Sequence, residues 1–418
     1  MKKLLALLLT LALCLGMTSA LAETVIVVQC WDPAFNLYAM EEAAKIYKEI
    51  NPDVTIKIEE VASDDLETKQ TTAFMSGDTS NLPDILLMQD NSGLKFLNTF
   101  PGSYAPLSDY VDLSDFAGYK KERFTYEGKA YAVPFDNGIA ATFIRTDYLE
   151  AAGYTLADVT DITWDQFIEI GLKVKEATGN YMLSVQAGYA DIISMMIESS
   201  GAWYFDAEGK PQLNTSPIIR NGIETTVKLR QSGVVKEGAD WAEYISSFNN
   251  GTAAATINGC WIIGSVSLAA DQAGKWGVAN CPRLDVEGGT NYGSNGGSSW
   301  VVPASSKNIE IAADFLAKTF AGSVDFYQTI LESAGAIATY LPAAGGEAYG
   351  REQSFFQGQK VFIDLMDYAG KLPAVKYGIY NYEARDALVK AVESIVGGED
   401  LDAALQTAQE EVEFYMAE

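Results

Sequence analysis

The chain has 418 residues, with 29 basic and 56 acidic side chains and a formal net charge of −27. That length exceeds one core and fits two domains of roughly 50–250 residues each, and a composition 48% hydrophobic and 20% charged excludes a disordered chain. The acidic balance excludes a surface built for nucleic acid or anionic lipid, and the absence of histidine excludes Ser-His and Cys-His nucleophiles and imidazole-bound metals.

Residues 1–22 stand apart. Lys2 and Lys3 precede an apolar run from Leu4 to Met17, and Ala20-Leu21-Ala22 reads as a cleavage signal before Glu23. The run is shorter than the ~20 apolar residues of a membrane span. Cys14 would suit a lipid anchor, but Leu13 stands before it where a lipobox has a small residue. The expectation is therefore a cleavable leader and an exported chain without a lipid. Cleavage at this point leaves 27 basic against 56 acidic residues, since Lys2 and Lys3 depart with the leader. It also leaves Cys30, Cys260 and Cys281. An odd number means at least one free thiol; buried thiols are favoured over a Cys260–Cys281 pair, because free Cys behaves as a small hydrophobe. No cofactor or metal is expected.

In chain order, Thr24–Val28 is a β-branched run that predicts a first strand, broken at Cys30-Trp31-Asp32-Pro33. Apolar residues at Met40, Ala43, Ala44, Tyr47 and Ile50 predict a helix, and the alternation of Val54, Ile56 and Ile58 a second strand. This strand–helix–strand start argues a βαβ unit and an α/β class with parallel sheets. Leu66–Met75 predicts the next helix and Pro83–Met88 the third strand. Ligands of open α/β sheets sit beyond the carboxyl ends of strands, so Trp31, Asp32, Gln89, Asp90 and Asn91 are gathered at one rim as candidate ligand contacts. Singly, each also reads as a cap or turn residue.

Tyr131-Ala132-Val133 is strand-like, Pro134 ends it, and Asp136-Asn137-Gly138 leads into the apolar run Ile139–Ile144. Spacing alone makes this a β-hairpin, because Asn-Gly between two apolar runs favours a tight turn. Further on, Trp164–Ala177 predicts a helix and Tyr181–Val185 a strand, with Gln186 and Tyr189 at its end. Trp203–Lys210 reads as a surface excursion with a turn at Glu208-Gly209, and Ile218–Ser232 as an amphipathic helix closed by Gly233. A helix is expected over Glu352–Tyr368 and others at Ala384–Val396 and from Asp400.

Several motifs then carry a family resemblance. Arg145-Thr146-Asp147-Tyr148-Leu149-Glu150-Ala151-Ala152-Gly153 precedes Thr163-Trp164-Asp165-Gln166-Phe167. Phe248–Trp261 follows the pattern F-x-x-G-x-A-A-M-x-I-N-G-x-W, with Thr256-Ile257 after Ala255 in place of Met, and Ser306–Leu316 follows S-K-N-x-E-x-A-x-x-F-L. From about Thr24 to the C-terminus the chain resembles the extracellular solute-binding proteins of ATP-driven sugar importers, the maltose-binding-like class.

The resemblance implies a two-lobed periplasmic-binding-protein-like fold, each lobe a mainly parallel sheet with flanking helices, joined by three crossover linkers. The first lobe would hold residues 23–135 plus 297–345 and the second 136–296 plus 346–418. The segment after Pro134 then becomes a hinge instead of a hairpin, with Asp136 and Asn137 facing the ligand. Asn295-Gly296-Gly297-Ser298 would form the second crossing, or else a surface loop, and 341–346 the third. Trp261 is implied as an open aromatic for the apolar face of a sugar, the alternative being a core tryptophan. Tyr380 and Tyr382 occupy the place of a further ligand aromatic, with Tyr377 competing. The family reading is a non-catalytic monomer that captures a di- or oligosaccharide, in a subgroup taking lactose or related β-linked sugars. It would deliver the sugar to the permease subunits of an ABC transporter. The competing reading is a secreted glycoside hydrolase with a carboxylate pair.

Overall fold

The computed structural model describes residues 24–373, 375 and 377–417. The expected leader, with Cys14, lies outside them. The ten principal strands are β1 (Thr24–Cys30), β2 (Val54–Glu60), β3 (Ile85–Gln89), β4 (Ala132–Pro134), β5 (Ala140–Arg145), β6 (Tyr181–Gln186), β7 (Val235–Gly238), β8 (Ala253–Gly259), β9 (Trp276–Ala279) and β10 (Ser298–Val301). They form two five-stranded sheets, ordered β2-β1-β3-β10-β4 and β9-β5-β8-β6-β7.

In the first sheet β1 runs parallel to β2 and β3, while β10 is antiparallel to both β3 and β4. In the second, β6 is parallel to β7 and β8, and β5 is antiparallel to β8 and β9. Each sheet therefore has one reversed strand. In both cases it is the first strand the chain lays down after arriving from the other sheet.

The helices pack on these sheets through apolar stripes. Tyr38–Ile50 buries Ala39, Met40, Ala43 and Tyr47, the three-to-four spacing of one helix face. The Tyr47 ring meets Phe315 edge-on at 5.2 Å, and its hydroxyl donates to Asp314 at 2.7 Å. Trp164–Thr178 starts on a capping box, Thr163 with Gln166, and ends at Gly179 in the left-handed region; it buries Phe167 and Val174.

The chain between β4 and β5 is a crossing and not a hairpin. A hairpin needs its two strands paired, whereas β4 pairs with β10 and β5 with β8 and β9. Asn-Gly spacing misleads here because Pro134 and the buried Phe135 are drawn into the first lobe's core. Phe135 packs 5.7 Å from Trp300 and 5.4 Å from Phe320, contacts that contribute about 0.5–1.5 kcal/mol each beyond area burial.

Three segments run side by side at this waist. Phe135 N–H donates to Ser298 O and Asn295 N–H to Gly138 O, and Asn137 N–H donates to Ile337 O. The third waist segment, at 337–340, thus lies just before the expected 341–346.

Two further expectations differ. Trp203, Tyr204 and Phe205 are buried, not on the surface, because the helices Asn381–Val396 and Leu401–Ala417 share a core with them; only the Asp206–Lys210 turn is exposed. The expected helix over Glu352–Tyr368 shrinks to Val361–Ala369. Gln357 and Gly358 both take positive φ, 57° and 80°, which an α-helix cannot accommodate. Cys30, Cys260 and Cys281 are all buried free thiols. No described helix is long and apolar enough to cross a membrane.

Candidate functional site

Six parallel strands end at one cavity of about 600 Å³, within the roughly 300–1,000 Å³ of small-molecule sites. From the first sheet, β1 delivers Trp31 and Asp32, β2 delivers Glu60, Ser63 and Asp64, and β3 delivers Gln89. From the second, β6 leads to Gln186, Tyr189 and Asp191, β7 to Asp240 and Trp241, and β8 to Asn258 and Trp261. Asp136 and Asn295 enter from the waist and Arg385 from the helix Asn381–Val396.

Trp241 and Trp261 form an aromatic wall, their rings 5.9 Å apart and inclined by 36°. Both are half-buried, so Trp261 is not a fully enclosed core residue. Its indole N–H donates to Asn295 O at 2.9 Å, which turns one ring edge to the protein and fixes the plane. Asn295 is held in turn: its Nδ2 donates to Asn258 Oδ1 at 2.7 Å, and Asn258 Nδ2 donates to Tyr244 OH at 2.8 Å. Opposite, Asn36 Oδ1 accepts from Trp31 N at 3.0 Å and Asp32 N at 3.1 Å. Asp32 itself accepts from Ala34 N at 2.8 Å, so it is a cap as well as a cavity wall; burial raises its carboxyl above the usual range.

A smaller cavity adjoins the first, sharing Gln89, Asp191, Asn295 and Arg385 with it, and adds Asn91 and Tyr382. Of the residues expected at the rim, ten line one cavity or the other: Trp31, Asp32, Gln89, Asn91, Asp136, Gln186, Tyr189, Trp261, Asn295 and Tyr382. Three do not. Asp90 starts the helix Asp90–Thr99 directly after β3 and turns inward to a buried ion pair with Lys120. Asn137 lies in the waist pairing, its carbonyl accepting from Cys260 Sγ at 3.1 Å. Tyr380 precedes the helix Asn381–Val396 and packs on the second-lobe core, while Tyr377 reaches the smaller cavity.

Trp241, Asn258 and Arg385 went unread. Trp241 follows Asp240, an N-cap that accepts from Glu243 N at 2.8 Å; an Asp-x-x-Glu pattern after a strand is a readable helix start. The strand before it, Val-Lys-Glu-Gly, is too short and charged to announce itself.

Beneath the waist, Asp136 is 1% exposed. Its Oδ1 accepts from Ser298 N at 2.8 Å and Ser298 Oγ at 2.6 Å. Burial pushes this carboxyl up to about 6, with nearby Asp90 adding to the rise and Lys120 and Ser298 opposing it. A carboxyl whose folded value is raised from 3.8 favours folding below that pH, and the contribution disappears as pH climbs through about 6. Between pH 7 and pH 4 the wild type should therefore gain on the order of 2–3 kcal/mol over Asp136→Asn from this group alone. Urea midpoints of both proteins across that range test it; parallel curves would refute the shift.

Comparison with known proteins agrees with this architecture. Residues 32–322 match the family described as bacterial extracellular solute-binding protein. A lactose-binding protein of Rhizobium radiobacter is 40% identical over 403 residues, covering 96% of this chain and 95% of the relative. An arabinooligosaccharide-binding protein of Bacillus subtilis is 28% identical over 66% of this chain and 64% of its own. Among solved structures, an ABC-transporter-associated binding protein from B. animalis subsp. lactis, in complex with β-1,6-galactobiose, has a TM-score of 0.79 at 21% identity. The alignment covers 94% of this chain and 97% of that one. Two sheets joined by a waist of three chain segments, with six strand ends at one cavity, thus belong to a fold shared with that solved structure. This chain is a member of the bacterial extracellular solute-binding proteins.

Proposed function

We propose that the protein captures a sugar between its lobes, a β-linked disaccharide of the lactose type or a short oligosaccharide, and passes it to the permease of an ABC importer. The observation that carries this is the cavity wall. Half-buried indoles at Trp31, Trp241 and Trp261 stand among side-chain amides and carboxylates at the carboxyl ends of both sheets. The apolar face of a pyranose packs on an indole, while amides and carboxylates take its hydroxyls. Gln89, Gln186, Asn258, Asn295, Asp191 and Arg385 are assigned the hydroxyl contacts. The lobes are placed at 23–135 with 297–345 and at 136–296 with 346–418. Export behind the 1–22 leader and action as a monomer belong to the same reading. No turnover of the sugar is expected.

Purified protein incubated with lactose tests it. Stabilisation by a ligand grows as RT ln(1 + [L]/Kd), about 2.7 kcal/mol at one hundred times Kd, so the melting temperature should rise with lactose concentration while no monosaccharide is released. No rise with lactose or with a panel of di- and trisaccharides would refute sugar capture. Release of galactose and glucose would make the protein a glycosidase instead.

A further inference from the structure

Along one side of the cavity the two lobes touch through a seam that shares Gln89 with the wall of the larger cavity and runs along the smaller one. Lys95, on the helix Asp90–Thr99, forms an ion pair with Glu383 on the helix Asn381–Val396. Tyr382 OH donates to Gln89 Oε1, and Asn381 Nδ2 to Asn91 O at 3.4 Å. The Arg123 guanidinium lies 3.5 Å from the centre of the Tyr377 ring and donates to Asn91 Oδ1 at 3.3 Å. Gln89, Asn91, Lys95 and Arg123 belong to the stretch that builds the first sheet, whereas Tyr377 and the helix Asn381–Val396 pack into the second-lobe core.

The seam is tied to the waist. Tyr377 OH donates to Glu198, a carboxylate 4% exposed that also accepts from Ser294 N at 2.7 Å and Ser294 Oγ. Ser294 stands next to Asn295, whose carbonyl holds the Trp261 indole. One connected chain of contacts thus runs from Arg123 through Tyr377, Glu198 and the waist to the aromatic wall. Trp203 braces the second-lobe side, its ring centroid 4.5 Å from that of Tyr377 and its Nε1 donating to Asn381 Oδ1 at 2.7 Å.

We propose that this seam is a closing latch, in which Lys95 and Arg123 act as positioning residues that set ligand affinity without touching the ligand. Lys95–Glu383, Tyr382–Gln89, Asn381–Asn91 and Arg123–Tyr377 each bridge the two lobes, so separation of the lobes would break them. They favour the closed form whether or not the cavity is filled, so they raise the fraction of protein competent to hold ligand. Apparent affinity scales with that fraction. Among the described residues the other Glu383 oxygen is buried without a partner, so the carboxylate depends on Lys95; removing the lysine leaves an unpaired charge that only closure buries. A cation over an aromatic ring gains likewise when closure desolvates it.

The inference rests on the sugar-capture reading, and its test separates the two. Lys95→Ala, the pair Lys95→Ala with Arg123→Ala, and the charge exchange Lys95→Glu with Glu383→Lys are compared with wild type. Lactose affinity is measured by calorimetry, and lobe separation by small-angle scattering of the ligand-free protein. The double alanine variant should bind lactose at least about tenfold more weakly and show a larger radius of gyration when empty, returning to the wild-type radius at saturating lactose. The charge exchange should recover affinity to within about threefold of wild type. Unchanged affinity and unchanged radius would overturn the latch, as would a charge exchange no better than Lys95→Ala. A wild type that binds no sugar refutes the function instead, and the scattering of the empty proteins then decides the latch alone. If the double variant fails to fold, Lys95→Ala and the charge exchange carry the same two readouts.

Discussion

Lys120→Ala is expected to lower the unfolding free energy at pH 7 by about 3–5 kcal/mol, the usual consequence of leaving a buried charge without its partner. The Lys120 side chain is 3% exposed and pairs with Asp90, itself 6% exposed. Asp136 lies beside them, close enough that Lys120 opposes the rise of its carboxyl. Ser299 Oγ donates to Asp90 Oδ1 at 2.9 Å, and the backbone above is Gly297 at φ +96°. A Cβ there would stand 2.8 Å from Asp90 Oδ2 and 3.1 Å from Lys120 Nζ. Two carboxylates under a tightly fitted waist would then have no cation. The loss should shrink toward pH 5, where Asp136 takes up a proton, and Asp90→Asn should restore part of it. Urea unfolding at pH 7 and pH 5 reads both effects. A loss below about 1 kcal/mol at pH 7 would mean that solvent reaches the pair.

Trp261→Ala should lower lactose affinity at least tenfold, a change of about 1.4 kcal/mol, while costing less stability than truncating an enclosed tryptophan. Trp300, with no exposed surface and packed between Phe135 and Phe320 at 5.7 and 5.2 Å, is the contrast. Its alanine variant should lose about 3–5 kcal/mol of stability. Trp261 packs against the cores on both sides of the waist but keeps part of its ring on the cavity. Calorimetry with lactose and urea midpoints on the same two variants separate the roles. If Trp261→Ala destabilises as much as Trp300→Ala and the folded remainder binds as before, the ring is a core residue.

Much of the fold was legible in the residues. β-Branched residues located β1 and β2, an apolar run located β3, and helical spacing located Tyr38–Ile50 and Trp164–Thr178 to within two residues at each end. What spacing could not supply was pairing partners. Pro134-Phe135-Asp136-Asn137-Gly138 has a hairpin's composition, and its spacing does not separate hairpin from hinge without the identity of the strands that lie alongside. The rim was legible where a long apolar strand ended at polar residues, as at Trp31 and Gln89. It was opaque where the strand was short, as before Trp241, or where the contact arrives from a distant helix, as with Arg385. Asp90 illustrates the opposite failure. The position was right, but whether a carboxylate at a strand end faces the cavity or a buried lysine thirty residues on depends on tertiary packing.

The reversed strand β10 has a consequence for how the molecule assembles. Among the described strands β4 is held in its sheet by β10 alone, and β10 also covers the edge of β3. More than two hundred residues separate β3 from that partner. A ribosome that has released the first three strands has therefore made a sheet whose β3 edge stays open until Ser298–Val301 arrives. Such non-local pairing is slow, and an unpaired edge invites association with other chains. The stretch that completes the first lobe is thus also the one whose late arrival leaves the newborn chain vulnerable to aggregation.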